Sequence, residues 1–473
     1  MEERADSTGD WAHPFVISIV RSYTQRRRFL YLFLTALLLQ GAVSVTAYLL
    51  YDVPVSTEVD SVEYIRTADN VLAGNGFSIE DTAPWRPNAF RTPGPLLINI
   101  PLRILSFKSD LLAIIFSRLV LLGAALLVIE LASRVGLSSF ALVAGTFFVL
   151  APSMAYYSLL PYSTETSYTA ACGLLFVASL AYLTQGKRGP LVLIGLAAMY
   201  ALYLRPAALF VLAAYILVAV FLALRNRYRA RRRIFLAAGS CFLGVVVAYG
   251  TWGYRNYKVF GSFQYSTVSG YNLLHYNARG MDSYLDETGK QELRDASVKY
   301  STFLQRYSGL DQFILSNHQA REGLRLIFKY PLSFLQSHLE DVIQSFFVFS
   351  PNILKNRSPM LVVVASIVHS GLAIMGILGL AASWKTFSEI QRLALLLMLT
   401  VGVVSTLTGG ALFSPRFRSP LDLLLAVGCA LFVAKALRKN DNVQISFERI
   451  SGAAVAKDRS SSALRCPSIQ SDH

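Results

Sequence analysis

Two carboxylates and a set of arginines are the residues in this chain whose types and positions suit chemistry. Asp60 sits in a polar stretch, residues 52–95, that directly follows the first long apolar run. A carboxylate at such a place can act as a general base, taking a proton from an attacking hydroxyl. Burial would raise its pKa and nearby arginines would lower it. Asp60 and Glu63 also have the spacing of a capping box, with Asp60 as N-cap of a short helix and Glu63 serving the cap. The two readings are compatible, because a helix start can present one carboxylate oxygen outward. Glu58 is a spare candidate for the base. Glu165 follows Pro161-Tyr162-Ser163-Thr164 at the mouth of a later apolar run. There it complements a helix dipole, or stands as a second catalytic carboxylate across from Asp60, binding sugar hydroxyls or assisting the base.

Arg205, Arg255, Arg416 and Arg418 all fall at what hydropathy makes the outer ends of apolar runs. Snorkelling side chains account for single cases. Four on one face, with Arg205-Pro206, Arg255-Asn256 and Pro415-Arg416 as neighbours, point to a shared anionic ligand. Guanidinium groups hold phosphate through bidentate, charge-assisted hydrogen bonds. A Tyr- and Asn-rich run, residues 252–277, offers aromatic faces at the same level. Its His275 reads as structural, with no His, Cys or Asp at metal spacing. No phosphate-cradling Gly-Lys loop and no dinucleotide Gly signature occurs, which disfavours ATP-driven transport and nucleotide-sugar use; no cofactor and no metal-ligating residue is assigned.

What must position these residues is a membrane fold. Of 473 residues, 54% are hydrophobic and 15% charged, and the mean hydropathy is +0.45. That is too little charge for a soluble domain. Apolar runs long enough to span a bilayer fall near 29–51, 111–131, 139–160, 166–184, 189–204, 207–224, 234–252, 360–383, 393–412 and 420–437. The net charge of +15 does not signal nucleic acid. Much of the excess lies in clusters beside these runs, at Arg26 to Arg28, Lys187-Arg188, Arg225 to Arg233 and Lys435 to Lys439, which is the positive-inside pattern. With residues 1–28 as a cytoplasmic head, every second run ends at a basic segment, and residues 438–473 form a cytoplasmic, Ser-rich, disordered tail. The first run reads as an anchor and not as a signal peptide. Three of the four cysteines lie in apolar runs, so no disulfide framework is expected. The expected fold is an all-α polytopic membrane protein of about ten transmembrane helices, residues 29–437. Outer loops 52–110 and 253–359 carry interfacial helices at 96–105, 319–328 and 331–347.

In this order the motifs resemble those of the multispan C-type glycosyltransferases, in the branch of protein mannosyltransferases and lipid A aminoarabinose transferases. Asp60-Ser61 with Tyr64, then Gly74, Gly76-Phe77 and Arg91-Thr92-Pro93-Gly94, is similar to the family's first outer loop. Pro152, Tyr157 and Thr164-Glu165 are similar to its second. Arg205-Pro206, Trp252 with Arg255-Asn256-Tyr257, Tyr330-Pro331 and Arg416-Phe417-Arg418 complete the set. One departure is that Pro93-Gly94-Pro95 lacks the family's Tyr. The resemblance implies an inverting transfer of a sugar from a polyprenyl-phosphate donor to a hydroxyl or amine on a lipid, glycan or protein. It implies Asp60 as catalytic acid or base with Glu165 nearby. The substrate-binding candidates are then Glu58, Tyr64, Arg91, Arg205, Arg255, Asn256, Arg416 and Arg418. The rival reading is a lipid-linked oligosaccharide flippase or another transporter. Transporters keep ionisable groups near the bilayer midplane, whereas here they gather at one end.

Overall fold

The computed structural model describes residues 27–43, 45–46, 59–225, 230–306, 312–348, 359–408 and 415–437, and all regular structure among them is helical. In chain order the helices are α1 (27–43), α2 (Val59–Leu72), α3 (Leu96–Leu105), α4 (Asp110–Ala132), α5 (Ala141–Leu150), α6 (Pro152–Tyr157), α7 (Glu165–Gln185), α8 (Arg188–Leu204) and α9 (Ala208–Arg225). Then come α10 (Ala230–Phe260), α11 (Val268–Tyr271), α12 (Glu287–Arg306), α13 (Gln312–Lys329), α14 (Pro331–Phe347), α15 (Pro359–Ser383), α16 (Glu389–Leu407) and α17 (419–437).

Seven helical stretches among the described residues are long and apolar enough to cross a membrane, and each falls on an expected span. They are Asp110–Leu137, Glu165–Gln185, Ala208–Arg225, Ala230–Phe260, Val362–Thr386, Glu389–Leu407 and Arg416–Leu437. The shorter α8 falls on an eighth. The expected span at 139–160 is corrected to two pieces, α5 and α6. Ala151 is extended at ψ 127° and Pro152 opens the next helix, because proline has no N–H to continue the ladder and disfavours a helical residue before it. The expected span at 29–51 is described as helix only through α1 and residues 45–46. The rest of it, the end of the span at 393–412 and the 438–473 tail lie outside the described residues.

The centre of the bundle is α7, with 83% of its apolar window buried, against 22% for the window in α15. Helices pack closely where small residues meet. A Cβ on Gly244 of α10 would lie 2.2 Å from the Gly195 carbonyl oxygen of α8, and one on Gly428 of α17 would lie 2.1 Å from that of Gly376 on α15. Such crossings let backbones approach in lipid, where apolar side chains gain nothing by meeting each other.

The break between α5 and α6 has a polar role. Ser153 Oγ donates to Asp422 Oδ2 at 2.7 Å, and Ser158 Oγ accepts from Arg118 Nη1 at 2.5 Å. Helices α11 to α14 build a smaller core of their own, around Leu274, Met281, Leu293, Leu315 and Leu326. The expected helices at 96–105 and 331–347 are α3 and α14, and 319–328 lies within α13. Along α14, Leu332, Leu335, Leu339, Ile343 and Phe347 are exposed at helical spacing, the apolar stripe of a helix lying on a membrane.

Candidate active site

Asp60 lies in the first turn of α2, and Glu63 one turn on shares its face. Both carboxylates turn to Arg91. Asp60 Oδ1 is 2.6 Å from Arg91 Nη2, and Glu63 Oε2 is 2.5 Å from Arg91 Nε. Glu63 is therefore an ion-pair partner, and the side-chain contacts of Asp60 are with arginines. The other oxygen, Asp60 Oδ2, is 3.2 Å from Arg416 Nη1.

Arg91 is held in place from both sides. Its N–H and that of Phe90 donate to Asn88 Oδ1 at 2.8 and 3.0 Å. Three residues on, the Gly94 N–H donates to the Tyr203 carbonyl at 2.9 Å, and a Cβ on Gly94 would sit 2.4 Å from the Tyr203 carbonyl carbon. Only glycine allows that approach. It docks the Arg-Thr-Pro-Gly run on the last turn of α8, and the next residue after that turn is Arg205.

Arg205 reaches across to the start of α7. Its Nη2 pairs with Glu165 Oε1, its Nε donates to Thr164 Oγ1 at 3.1 Å, and its guanidinium lies 5.1 Å from the Tyr168 ring centroid. Glu165 is only 3% exposed and also stands 3.8 Å from Arg416 Nη1. Arg416 belongs to the short turn Pro415–Arg418 that leads into α17. The six side chains thus form one alternating row, Glu63, Arg91, Asp60, Arg416, Glu165, Arg205. Three carboxylates face three guanidiniums, so the row as a whole is neutral.

Five of these six side chains, all but Glu165, line a cavity of about 620 Å³ together with Tyr64, a volume in the range of small-molecule sites. The cavity is also lined by the Glu80–Arg86 ion pair and by a neutral, partly aromatic group, Tyr271, Asn272, Tyr276 and Gln319, on α11, α13 and the π-helical turn Asn272–Ala278. Burial pushes the Asp60 carboxyl up, but Arg91 and then Arg416 outweigh it and hold it down at about 2. Burial pushes the Tyr64 phenol up to about 12, so it remains a hydrogen-bond donor. Among the described residues no three His, Cys, Asp or Glu side chains are grouped to hold a metal ion.

Of the residues singled out in the sequence, Asp60, Glu165, Tyr64, Arg91, Arg205 and Arg416 come together. Three others do not. Arg255 lies between the rings of Phe77, Trp252 and Phe260, donating to the Asn88 carbonyl and to Asn256 Oδ1, both at 2.9 Å. Asn256 is fully buried and donates to the carbonyls of Gln264 and Tyr265. Both sit on α10 because the helix continues two turns beyond Trp252. Arg418 is 2% exposed and points away from the cavity, to Asp422, His369 and the Ser345 carbonyl. Glu58 lies outside the described residues. Sequence reasoning left Glu63 to the helix cap and missed Asn88. It marked the Tyr- and Asn-rich run without choosing Tyr271, Asn272 or Tyr276 from it.

No family model and no curated protein matches the chain. Solved structures do. The archaeal oligosaccharyltransferase AglB from Archaeoglobus fulgidus, in complex with an inhibitory peptide and a dolichol-phosphate, is similar over 89% of this chain at 14% identity, with a TM-score of 0.52. A crystal structure of the Archaeoglobus fulgidus oligosaccharyltransferase with zinc and sulfate gives 13% identity and a TM-score of 0.51. ArnT from Cupriavidus metallidurans bound to undecaprenyl phosphate aligns over 86% of this chain and 78% of its own, at 12% identity and a TM-score of 0.39. The likeness to the oligosaccharyltransferase is one of fold, and the fold is the polytopic one that the resemblance to C-type glycosyltransferases implied. This chain spans about half of that protein, 52% of its length.

Proposed function

We propose that this multi-pass membrane protein is a glycosyltransferase that moves a sugar from a polyprenyl-phosphate donor to a hydroxyl or amine acceptor on a lipid, glycan or protein. The observation that carries the reading is the alternating row of three carboxylates and three guanidiniums, drawn from α2, the Arg91 loop, α7, the end of α8 and the turn before α17, around one cavity. Arginines suit a phosphate, a carboxylate suits a proton transfer, and the aromatic wall suits a sugar ring. The oligosaccharyltransferase whose fold this chain shares was solved with a dolichol-phosphate, a ligand of the chemistry proposed here. The basic clusters beside the spans support a cavity that opens at the external face of the membrane.

In this mechanism the acceptor oxygen attacks the anomeric carbon from the side opposite the phosphate, so configuration inverts. A new C–O bond forms to the acceptor and the old C–O bond to the phosphate breaks. Its electron pair leaves on the phosphate oxygen, where Arg91, Arg205 and Arg416 face the growing charge. Asp60 takes the acceptor proton. Tyr64 donates a hydrogen bond, and Glu165 holds Arg205 and Arg416 in place. The leaving group is already an anion, so no strong acid is required.

The test is transfer from a labelled polyprenyl-phosphate sugar by the full chain in detergent. Asp60→Asn should lower the rate by about 100-fold or more while the protein still folds. Unchanged turnover would remove Asp60 from the mechanism, and wild-type protein that releases no sugar would point to transport instead.

A further inference from the structure

The anion that occupies the cavity's arginines is the protein's own. Asp60 gives one oxygen to Arg91 at 2.6 Å and the other to Arg416 at 3.2 Å. Two oxygens of a phosphate would engage the same two guanidiniums in the same way. Glu63 holds the Nε of Arg91, and Glu165 holds Arg205 and stands 3.8 Å from Arg416. Each of the three guanidiniums is already paired with a carboxylate, and Arg205 Nη1, which has no hydrogen-bond partner, is buried, so a phosphate that engages Arg91 and Arg416 does so in competition with Asp60.

The structure indicates which carboxylate yields. Glu165 is 3% exposed and Glu63 20%, but Asp60 is 32% exposed. The Asp60–Arg416 contact, at 3.2 Å, is longer than the two that Arg91 makes. Arg416 is carried on a four-residue turn and is 22% exposed, whereas Arg91 and Arg205 are 10% exposed. The weakest link and the two most open partners coincide.

We propose that Asp60 is an internal stand-in for the donor phosphate, occupying the fork between Arg91 and Arg416 in the empty site and losing Arg416 when a phosphate-bearing polyprenyl lipid binds. For the identity of that lipid, the inference rests on the function proposed above. It adds an order of events. Before the donor arrives, both oxygens of Asp60 are engaged by guanidiniums, which weakens it as a base toward an acceptor hydroxyl. Binding the donor phosphate releases Asp60 Oδ2 from Arg416, so the base strengthens when there is a sugar to transfer.

The test is equilibrium binding of undecaprenyl phosphate to the full-length protein in detergent, with no turnover involved. For a residue that only helps to build the site, removing its charge leaves binding unchanged or weaker. For a stand-in, it does the opposite. Asp60→Asn should bind undecaprenyl phosphate at least threefold more tightly than wild type, and Arg416→Gln at least threefold more weakly. The double variant should show none of the gain of Asp60→Asn, because the gain acts through Arg416. Asp60→Ser provides the same measurement if the Asn variant does not fold. Equal or weaker binding by the Asp60 variants overturns the stand-in while leaving the donor reading in place. Absence of binding to wild type and to all variants overturns both.

Discussion

Replacing Gly94 by alanine should unseat Arg91 without touching a charged group. The added carbon would lie 2.4 Å from the Tyr203 carbonyl carbon and 2.5 Å from the Leu204 nitrogen, against ordinary contacts of about 3.5–4.0 Å. Both atoms belong to the last turn of α8 and are held by its backbone, so the Arg-Thr-Pro-Gly run must retreat by about 1 Å. That retreat stretches the 2.9 Å bond from the Gly94 N–H to the Tyr203 carbonyl past useful range. Overpacking costs about 1–3 kcal/mol and the lost bond about 1 kcal/mol, so about 2–4 kcal/mol is at stake. The same displacement reaches Arg91, whose contacts with Asp60 and Glu63 are 2.6 and 2.5 Å. A misplacement of about 1 Å at a reacting centre can lower a rate about 100-fold. The assay pairs thermal unfolding in detergent with sugar release from a polyprenyl-phosphate donor. Gly123→Ala on α4 is the control, since a Cβ there meets nothing within 4 Å, and it should be neutral or slightly stabilising. A Gly94→Ala protein that melts and turns over like wild type would refute the docking argument.

Arg418→Met should cost about 3–5 kcal/mol, because it strands Asp422, 4% exposed, in an apolar surround; thermal unfolding reads it, and Arg418→Met with Asp422→Leu should recover most of the loss. Arg255→Met should raise the donor KM several-fold with little change in kcat, because Arg255 reaches the cavity only through Asn88; a fall in kcat as large as that of Asp60→Asn would contradict this. Folding lowers the Asp60 pKa from 3.8 to about 2, so its contribution to stability is present above 3.8 and lost as pH falls through about 2. The shift corresponds to about 2.4 kcal/mol (1.8 × 1.36) before solvent screening, and about 1–2 kcal/mol is expected after it. Acid unfolding of wild type and Asp60→Asn should therefore converge near pH 2, and a constant gap down to that pH would contradict the assignment.

The spans were legible because lipid imposes a length and a hydropathy that no later packing overrides. The split at Pro152 was legible in principle, since a proline stood inside an expected helix. Arg416 and Arg418 were not separable in the same way. They are two residues apart, and which one faces the cavity depends on where α17 begins. The i,i+4 spacing of Arg418 and Asp422 was the available sign that Arg418 had a partner of its own. Asp60 and Glu63 show the opposite difficulty: one spacing serves both a cap and a shared face. The choice was made by Arg91, 28 residues beyond Glu63, through a loop docking that leaves only the glycine as its trace.

The break between α5 and α6 has a consequence for two buried charges beside it. Asp422 and Arg118 lie on membrane-length helices, and each receives one hydroxyl from the same six-residue segment and its end, Ser153 for the acid and Ser158 for the base. Those hydroxyls do what hydration does elsewhere, so the interrupted helix acts as a local solvent built from protein. Replacing both serines by alanine would make that stretch a better apolar helix, but it would take a hydroxyl from Arg118 and leave Asp422 to its ion pair with Arg418, so the most lipid-like sequence there would not be the best one.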